Sequence, residues 1–271
     1  MTLINPIESL SVNENGKPDK RTKFRKIAIW LAAIVLTAML LATAGFVAWA
    51  GDTADPMPEA IAALVSDEQV MVTEDNWITF TPTAAPPTTG LIIYPGGRVD
   101  ARAYAPAAHA IASQGYQVVI VPMPLNLAFF NANAAFDVIA AYPQIEQWVI
   151  AGHSLGGAMA AQYAYNQPDK VAGLALWAAY PASNSDLSNS DLAVASIYGT
   201  EDGLASVADV ENARNLLPAD IQWWPIVGGN HAQFGWYGDQ PGDNPATIDR
   251  ATQQAQLLEA TLNLLNNLKP K

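Results

Sequence analysis

The sequence predicts an α/β domain with a mostly parallel central sheet, helices on both faces and one transmembrane helix in front of it. Three observations support this prediction. Apolar runs alternate with helical stretches from about residue 66 to the C-terminus. Several runs, such as GLIIY at 90–94, are apolar throughout, which is typical of parallel strands buried on both faces. An uncharged apolar stretch, residues 27–50, precedes the domain.

Residues 27–50 exceed the roughly 20 apolar residues that a helix needs to cross a bilayer. Six basic residues lie between positions 17 and 26, so the positive-inside rule places residues 1–26 in the cytoplasm and the remainder outside. Cleavage of a signal peptide near Ala50 is the alternative, because Ala48-Trp49-Ala50 has an A-x-A pattern. We favour a retained single-pass anchor in the cell membrane, since a signal h-region usually has only about 7–15 residues.

Residues 51–67 are predicted to be a linker and residues 68–271 the α/β domain. The predicted strands are 70–73 and 77–80, which form a hairpin, and then 90–94, 117–122, 147–152, 171–178, 192–199 and 221–228. The predicted helices are 104–114, 132–141, 155–166, 206–216 and 247–267. The connection before the strand at 192–199 is too short for a helical cap, so we expect an open cleft at the carboxyl ends of the strands.

Charge and composition exclude several function classes. Residues 51–271 carry seven basic and twenty-two acidic side chains, a net charge of −15, which argues against nucleic-acid binding. The chain has no cysteine, so it has no disulfide, no thiolate metal site and no cysteine nucleophile. Neither a cluster with metal-ligand spacing nor a phosphate-binding glycine loop with a lysine is present, and we expect no metal and no cofactor. The oligomeric state stays open.

A candidate nucleophile lies in Gly152-His153-Ser154-Leu155-Gly156, which matches G-x-S-x-G. The five letters alone are weak evidence, but here they follow the apolar strand QWVIA and open a helix. This context predicts a sharp turn that exposes the Ser154 hydroxyl above the sheet, with glycines on both sides to admit the neighbouring backbone.

A serine nucleophile needs a base, usually a histidine that a carboxylate orients. The chain offers His109, His153 and His231. His109 lies upstream in a predicted helix, and His153 is adjacent to Ser154, so its side chain should point elsewhere. His231 follows the last strand and has the expected order, with the histidine after the serine and the acid. It is our candidate base.

The acid should follow the strand at 192–199, where Glu201 and Asp202 occupy one turn. We favour Asp202 over Glu201, with the role of fixing the histidine tautomer and stabilising the imidazolium. Capping of its own turn is the alternative for this aspartate.

The oxyanion hole needs two backbone N–H groups near the nucleophile. Leu155 supplies one at a helix N-terminus, and Gly97, in the loop after GLIIY, is our choice for the other. Trp236 and Tyr237 follow His231 and are candidates for the pocket wall, with loop packing equally open. Arg98 is a candidate for holding a substrate carboxylate. Pairing of Arg98 and the nearby Arg102 with Asp100 or solvent is the favoured interpretation.

Four segments, YPGGRVDARAY, GHSLGG, YGTEDGLA and GGNHAQFGWYGDQPGD, occur in this order and resemble the motifs of the α/β-hydrolase superfamily. More narrowly, they resemble the exported or membrane-anchored bacterial proteins of the dienelactone-hydrolase-like group. The resemblance covers roughly residues 68–268 and implies the hydrolase fold and a Ser-His-Asp mechanism. The resemblance does not extend to the nucleophile, because the dienelactone hydrolases proper use cysteine where this chain has Ser154.

These features predict a serine hydrolase that cleaves small or medium carboxylic esters outside the membrane. An amidase or acyltransferase with the same three residues is the first alternative, because the fold does not define the substrate. A catalytically silent binding protein on the same fold is the second, and the intact Ser, Asp and His set disfavours it.

Overall fold

The structure, a computed structural model, describes residues 20–269. Residues 1–19, most of the predicted cytoplasmic tail, lie outside the described part of the chain. The described chain divides into two compact units, with the boundary between Trp49 and Ala50. Helix α1, Lys20–Gly51, contains the predicted transmembrane segment. Within the described residues, its part Phe24–Gly51 is the one helix long and apolar enough to cross a membrane, a property that signal sequences share.

The second unit alternates strands and helices. Its strands are β1 Val70–Glu74, β2 Ile78–Pro82, β3 Thr89–Tyr94, β4 Gln117–Ile120, β5 Gln147–His153, β6 Gly173–Trp177, β7 Ala193–Gly199 and β8 Gln222–Ile226. Its α-helices are α2 Pro58–Ala62, α3 Ala105–Ala112, α4 Ala135–Ala141, α5 Leu155–Asn166, α6 Val207–Asn212 and α7 Arg250–Asn266. Every predicted strand is present, with its ends within two residues of the prediction.

The eight strands form one sheet in the order β1-β2-β4-β3-β5-β6-β7-β8. The β1–β2 hairpin is antiparallel, and β2 joins β4 in antiparallel register. All other neighbours are parallel, and Ile92 of β3 pairs with Val119 of β4 and Ile150 of β5. The predicted fold class is therefore confirmed. Because five strands from β4 to β8 run parallel to β3, their carboxyl ends meet at one edge.

The sheet is buried on both faces, which explains the continuous apolar runs. Leu91 and Ile93 of β3 point to one side and pack with α3 and α7. Ile92 and Tyr94 point to the other side and pack with α4 and α5. These β3 side chains are fully buried, and each aliphatic one contributes about 1.5–3 kcal/mol through the hydrophobic effect.

Two connections shape the surroundings of the carboxyl edge. Residues 178–192, between β6 and β7, contain neither helix nor strand, so no helical cap is inserted there. The predicted linker 51–67 contains α2, which begins at Pro58; proline is favoured in a first helical turn because its missing N–H would be unpaired there. The same segment lies along the domain, since Ala54 bridges Val99 and Pro56 bridges Tyr237.

Candidate active site

The turn between β5 and α5 gives Ser154 a strained backbone. Its φ of 52° and ψ of −122° lie outside the regions that L-residues prefer. A Cβ on Gly152 would overlap the backbone of Gly156, and a Cβ on Gly156 would overlap the carbonyl oxygens of Tyr94 and Pro95. Both glycines are therefore required by close approach. The elbow has the strand–turn–helix context that the sequence predicts, with Ser154 partly exposed.

His231 and Asp202 form a buried pair at the ends of β8 and β7. The His231 Nδ1 atom lies 2.8 Å from Asp202 Oδ2, and both side chains are almost fully shielded from solvent. Asp202 Oδ1 accepts hydrogen bonds from the backbone N–H groups of Leu204 and Ala205, at 2.8 and 2.7 Å. Asp202 therefore uses one oxygen for backbone N–H groups and the other for His231 Nδ1, which leaves Nε2 as the ring nitrogen that does not face the carboxylate.

Of the two carboxylates in this turn, Asp202 is the one in contact with His231. The Glu201 carboxylate instead lies near the hydroxyl of Thr200, 3.4 Å away. The histidine Nε2 is buried, and within residues 20–269 no hydrogen-bond partner is found for it. It therefore makes no hydrogen bond to Ser154 in this structure, as is common for catalytic groups before substrate binds.

His153 lies against His231 but has a different role. Its ring centroid is 4.5 Å from that of His231, and its ring stacks on Phe234. The His153 Nδ1 atom is 2.8 Å from the Tyr104 hydroxyl, which also accepts the backbone N–H of Gly96 at 2.9 Å. Burial, followed by the neighbouring His231, holds the pKa of His153 well below its usual value. A histidine that stays neutral in the core is a structural residue, as the sequence indicates.

The sequence profile of the alpha/beta hydrolase family matches residues 90–255. This region is more than half of the chain and contains the elbow serine and the buried His–Asp pair. The chain belongs to the alpha/beta hydrolase family. No curated protein matches it.

The loop after β3 of this alpha/beta hydrolase has one candidate oxyanion donor. The N–H of Gly96 is bound by Tyr104, and that of Arg98 donates to the Asn126 carbonyl at 2.8 Å. Among residues 96–98, the backbone N–H of Gly97 is therefore the candidate donor to an oxyanion. A Cβ on Gly97 would lie 3.1 Å from a methyl carbon of Leu155, so the two predicted oxyanion residues are neighbours.

A cavity of about 190 Å³ adjoins Ser154. Its walls are apolar or uncharged and come from the start of α5, the end of β6 and the acid turn, namely Leu155, Ala158, Ala178, Ala179, Tyr180, Leu204 and Ala205. A larger cavity of about 580 Å³ lies at the other end of α5, beside Asp169 and Lys269. We place the candidate site at the smaller one, because only it includes the strained serine.

The remaining predicted pocket residues lie elsewhere. The Arg98 guanidinium donates to the Asp52 carboxylate at 3.0 Å and to the Asp52 carbonyl at 2.7 Å. The Arg102 guanidinium donates from Nε to Asp100 Oδ1 at 2.9 Å and from Nη2 to Asp100 Oδ2 at 2.6 Å. The two residues can pair in this way because they lie in one short turn. The favoured pairing with Asp100 therefore holds for Arg102, whereas Arg98 uses the acidic residue that follows α1.

Tyr237 is fully buried and donates to Gln240 at 3.0 Å. Burial is also the main reason why the pKa of Tyr237 lies well above the usual value. Because its side chain is buried, Tyr237 is a packing residue in the histidine loop. Trp236 is partly exposed, and its backbone N–H donates to the Ala103 carbonyl at 2.7 Å. Neither side chain lines the cavity beside Ser154.

Tyr104 is the residue that sequence reasoning missed. No local pattern marks it, because its partners Gly96 and His153 lie eight and 49 positions away. Within the described residues, no group of three or more His, Asp or Glu side chains could hold a metal ion.

Proposed function

We propose that the chain is a serine hydrolase that cleaves small or medium carboxylic esters through an acyl-enzyme. The observation that carries the proposal is the strained Ser154 at the same sheet edge as a buried imidazole whose Nδ1 contacts Asp202. Strained backbone at a serine is kept only where the surroundings enforce it, which is typical of functional sites. The family membership supports a hydrolase, and the site supports serine chemistry.

In the proposed acylation step, the Ser154 hydroxyl oxygen attacks the ester carbonyl carbon as His231 Nε2 takes the hydroxyl proton. The carbonyl π electrons move to oxygen, and the N–H groups of Gly97 and Leu155 would bind the resulting oxyanion. Each such donor is worth about 3–4 kcal/mol in the transition state. Collapse of the intermediate breaks the ester C–O bond, and the proton on His231 passes to the departing alcohol.

Deacylation repeats these transfers with water. His231 removes a proton from water as the water oxygen attacks the acyl carbon. Collapse of this second intermediate breaks the bond between the acyl carbon and Ser154 Oγ, Ser154 recovers the proton from His231, and the carboxylic acid leaves. Asp202 stabilises the imidazolium formed in both steps. Its two backbone hydrogen bonds keep the carboxylate fixed, so Nε2 remains the proton carrier throughout.

The cavity beside Ser154 favours short, uncharged acyl groups. It is about 190 Å³ in volume and has no charged side chain in its lining. Burying a carboxylate or an ammonium group there without a partner would cost several kcal/mol. The absence of a helical cap in residues 178–192 leaves the other side of the cleft open to varied alcohols.

We further propose that α1 is retained as an anchor and that the domain lies on the extracytoplasmic side. The charge asymmetry supports this orientation, because six basic residues precede the apolar helix within ten positions. The relation to the dienelactone-hydrolase-like group belongs to the same proposal and rests on the four motifs of the sequence.

A fluorophosphonate probe tests the serine chemistry on the purified full chain in detergent. We expect labelling of the wild type and none of Ser154→Ala. A panel of p-nitrophenyl esters with acyl chains of two to twelve carbons, matched with p-nitroanilides, then tests the substrate class. Fastest turnover of short esters supports the proposal, anilide preference supports the amidase alternative, and absence of labelling supports the silent binding protein.

A further inference from the structure

Exposed apolar side chains concentrate in one loop of the domain. Leu125, Phe129 and Phe130 are 38%, 49% and 47% exposed, and we call them the loop patch. The rings of Phe129 and Phe130 lie 4.3 Å apart, so the two aromatics form one surface. Leu125 has a φ of 53°, a conformation that leucine rarely adopts, and its side chain nevertheless remains partly exposed.

The patch lies in an uncharged part of an acidic domain. Residues 121–136 contain no Asp, Glu, Lys or Arg, although residues 51–271 carry a net charge of −15. An exposed aromatic surface without charges has the composition of a surface that enters the lipid headgroup region, where aromatic rings are favoured. A charged surface would enter this region only at the free-energy cost of taking its charged side chains out of water.

The loop that carries the patch is attached to the residue where the apolar helix ends. The side-chain amide of Asn126, next to Leu125, donates to the Ala50 carbonyl at 3.1 Å. The apolar helix ends at Gly51. Because consecutive Cα atoms are about 3.8 Å apart, Leu125 lies within about 10 Å of this end of the helix. Ala50 belongs to the same compact unit as the loop patch and directly follows the first unit, which carries most of the apolar helix, so a retained anchor would tether the patch close to the bilayer surface.

The same loop forms a wall of the candidate active site. Leu127, between the patch residues, is buried, and its methyl carbon lies 3.6 Å from the position of a Cβ on Gly97. Leu155 contacts the same position from the nucleophile side, at 3.1 Å. The loop patch is thus continuous with the proposed oxyanion hole.

We propose that the loop patch dips into the lipid surface and that the Ser154 cleft takes its ester substrates from the membrane. The occupant of the patch is the headgroup–acyl boundary of the bilayer that holds the chain. The preferred substrates are uncharged esters that partition into lipid, with a short acyl group for the small cavity and an apolar alcohol portion along the loop. The substrate part of this inference rests on the proposed esterase function, and the lipid contact rests only on the proposed retention of α1 as an anchor.

The lipid contact is tested with a single environment-sensitive probe, which the absence of native cysteine makes straightforward. The full chain is placed in phosphatidylcholine nanodiscs, and an NBD fluorophore is attached at Phe129→Cys. The matched control is Tyr165→Cys, which is 46% exposed and lies near the other end of α5, about 15 Å along the helix from Leu155. We expect blue-shifted emission and quenching by doxyl-labelled lipids at position 129 only. Equal quenching at both positions, or none at position 129, overturns the proposal.

The substrate preference is tested with the variant Leu125→Ser/Phe129→Ser/Phe130→Ser in the same nanodiscs. The ratio of turnover of a lipid-embedded fluorogenic acetate to that of water-soluble p-nitrophenyl acetate should fall at least tenfold, whereas Tyr165→Ser should leave it unchanged. An unchanged ratio in the triple variant overturns the membrane-substrate inference. If the wild type hydrolyses neither ester, the esterase proposal fails, and the quenching experiment still decides the lipid contact.

Discussion

His153 and His231 lie with their ring centroids 4.5 Å apart, yet only His231 reaches a carboxylate. The two rings have different hydrogen-bond partners. The Nδ1 atom of His153 contacts the hydroxyl of Tyr104, and the Nδ1 atom of His231 contacts the carboxylate of Asp202. Burial holds His153 as a neutral core residue, and His231 is the imidazole that we propose for proton transfer.

Ser154→Ala should abolish ester hydrolysis and leave the fold intact. The side chain sits on a turn whose shape depends on the neighbouring glycines, so the methyl group fits without strain beyond that already present. Loss of a nucleophile of this kind lowers turnover by about 10⁴-fold or more. Steady-state kinetics test the loss, and circular dichroism with thermal unfolding serves as the control for folding. Residual activity above a few per cent would contradict the assignment.

Asp202→Asn should reduce kcat far more than Glu201→Gln. Asparagine keeps the shape, but its amide group can force the imidazole into the wrong tautomer, a change that can cost about 10⁴-fold in turnover. Glu201 makes only a long contact with Thr200, and its change should alter kcat within about twofold. Parallel measurement of both variants decides the matter. If Glu201→Gln is the more damaging change, the acid is misassigned.

Protonation of His153 should destabilise the fold below about pH 6.5. Burial lowers its pKa in the folded state, so the unfolded chain binds a proton that the folded chain does not. The unfolding free energy is therefore fully retained above the unfolded-state pKa and falls as the pH drops below it. The slope should approach about 1.4 kcal/mol per pH unit. Unfolding at pH 7.5 and 5.5 in detergent should show a smaller drop for His153→Asn than for the wild type, and equal drops would refute the account.

Tyr104→Phe should destabilise the domain more than Tyr116→Phe. The Tyr104 hydroxyl is buried and serves both Gly96 and His153, so its loss leaves two buried polar groups unpaired. Each such group costs about 1–3 kcal/mol. The Tyr116 hydroxyl donates to Asn266 at an exposed position, where water can replace it. Thermal or urea unfolding of both variants measures the difference, which should vanish if the Tyr104 contacts contribute nothing.

Protease added to intact cells should digest the domain. Six basic residues before the apolar helix predict a cytoplasmic N-terminus and therefore an external body. An epitope tag at the C-terminus, followed by immunoblotting, reports the digestion, and a cytoplasmic marker controls for leakage. Complete protection of the tag in intact cells, with digestion after lysis, would establish the opposite orientation.

The sequence predicts the strands and the elbow because both depend on local patterns. The apolar run of β3 and the G-x-S-x-G letters around Ser154 each carry their information within a few residues. His231 is selected by elimination among three histidines, and the order of the motifs places Asp202 before it. These predictions need no knowledge of distant contacts.

Distant contacts are where local reasoning stops. Tyr104 meets His153 only because β3 and β5 are adjacent in the sheet, an arrangement that no residue pattern near Tyr104 encodes. The Arg98 side chain binds Asp52 because the segment after α1 lies along the domain. The proline and acidic residues of that segment had led us to predict a linker. Helix α2 was missed for the same reason.

The short β6–β7 connection has a consequence for engineering. Residues 178–192 form a surface loop without regular structure, and Tyr180 within it lines the cavity beside Ser154. Loops of this kind accept insertions with little loss of stability. A designed helical hairpin grafted there would cover the candidate cleft while the sheet keeps its register. The uncapped domain is thus a starting scaffold on which new selectivity for the alcohol portion of a substrate can be constructed.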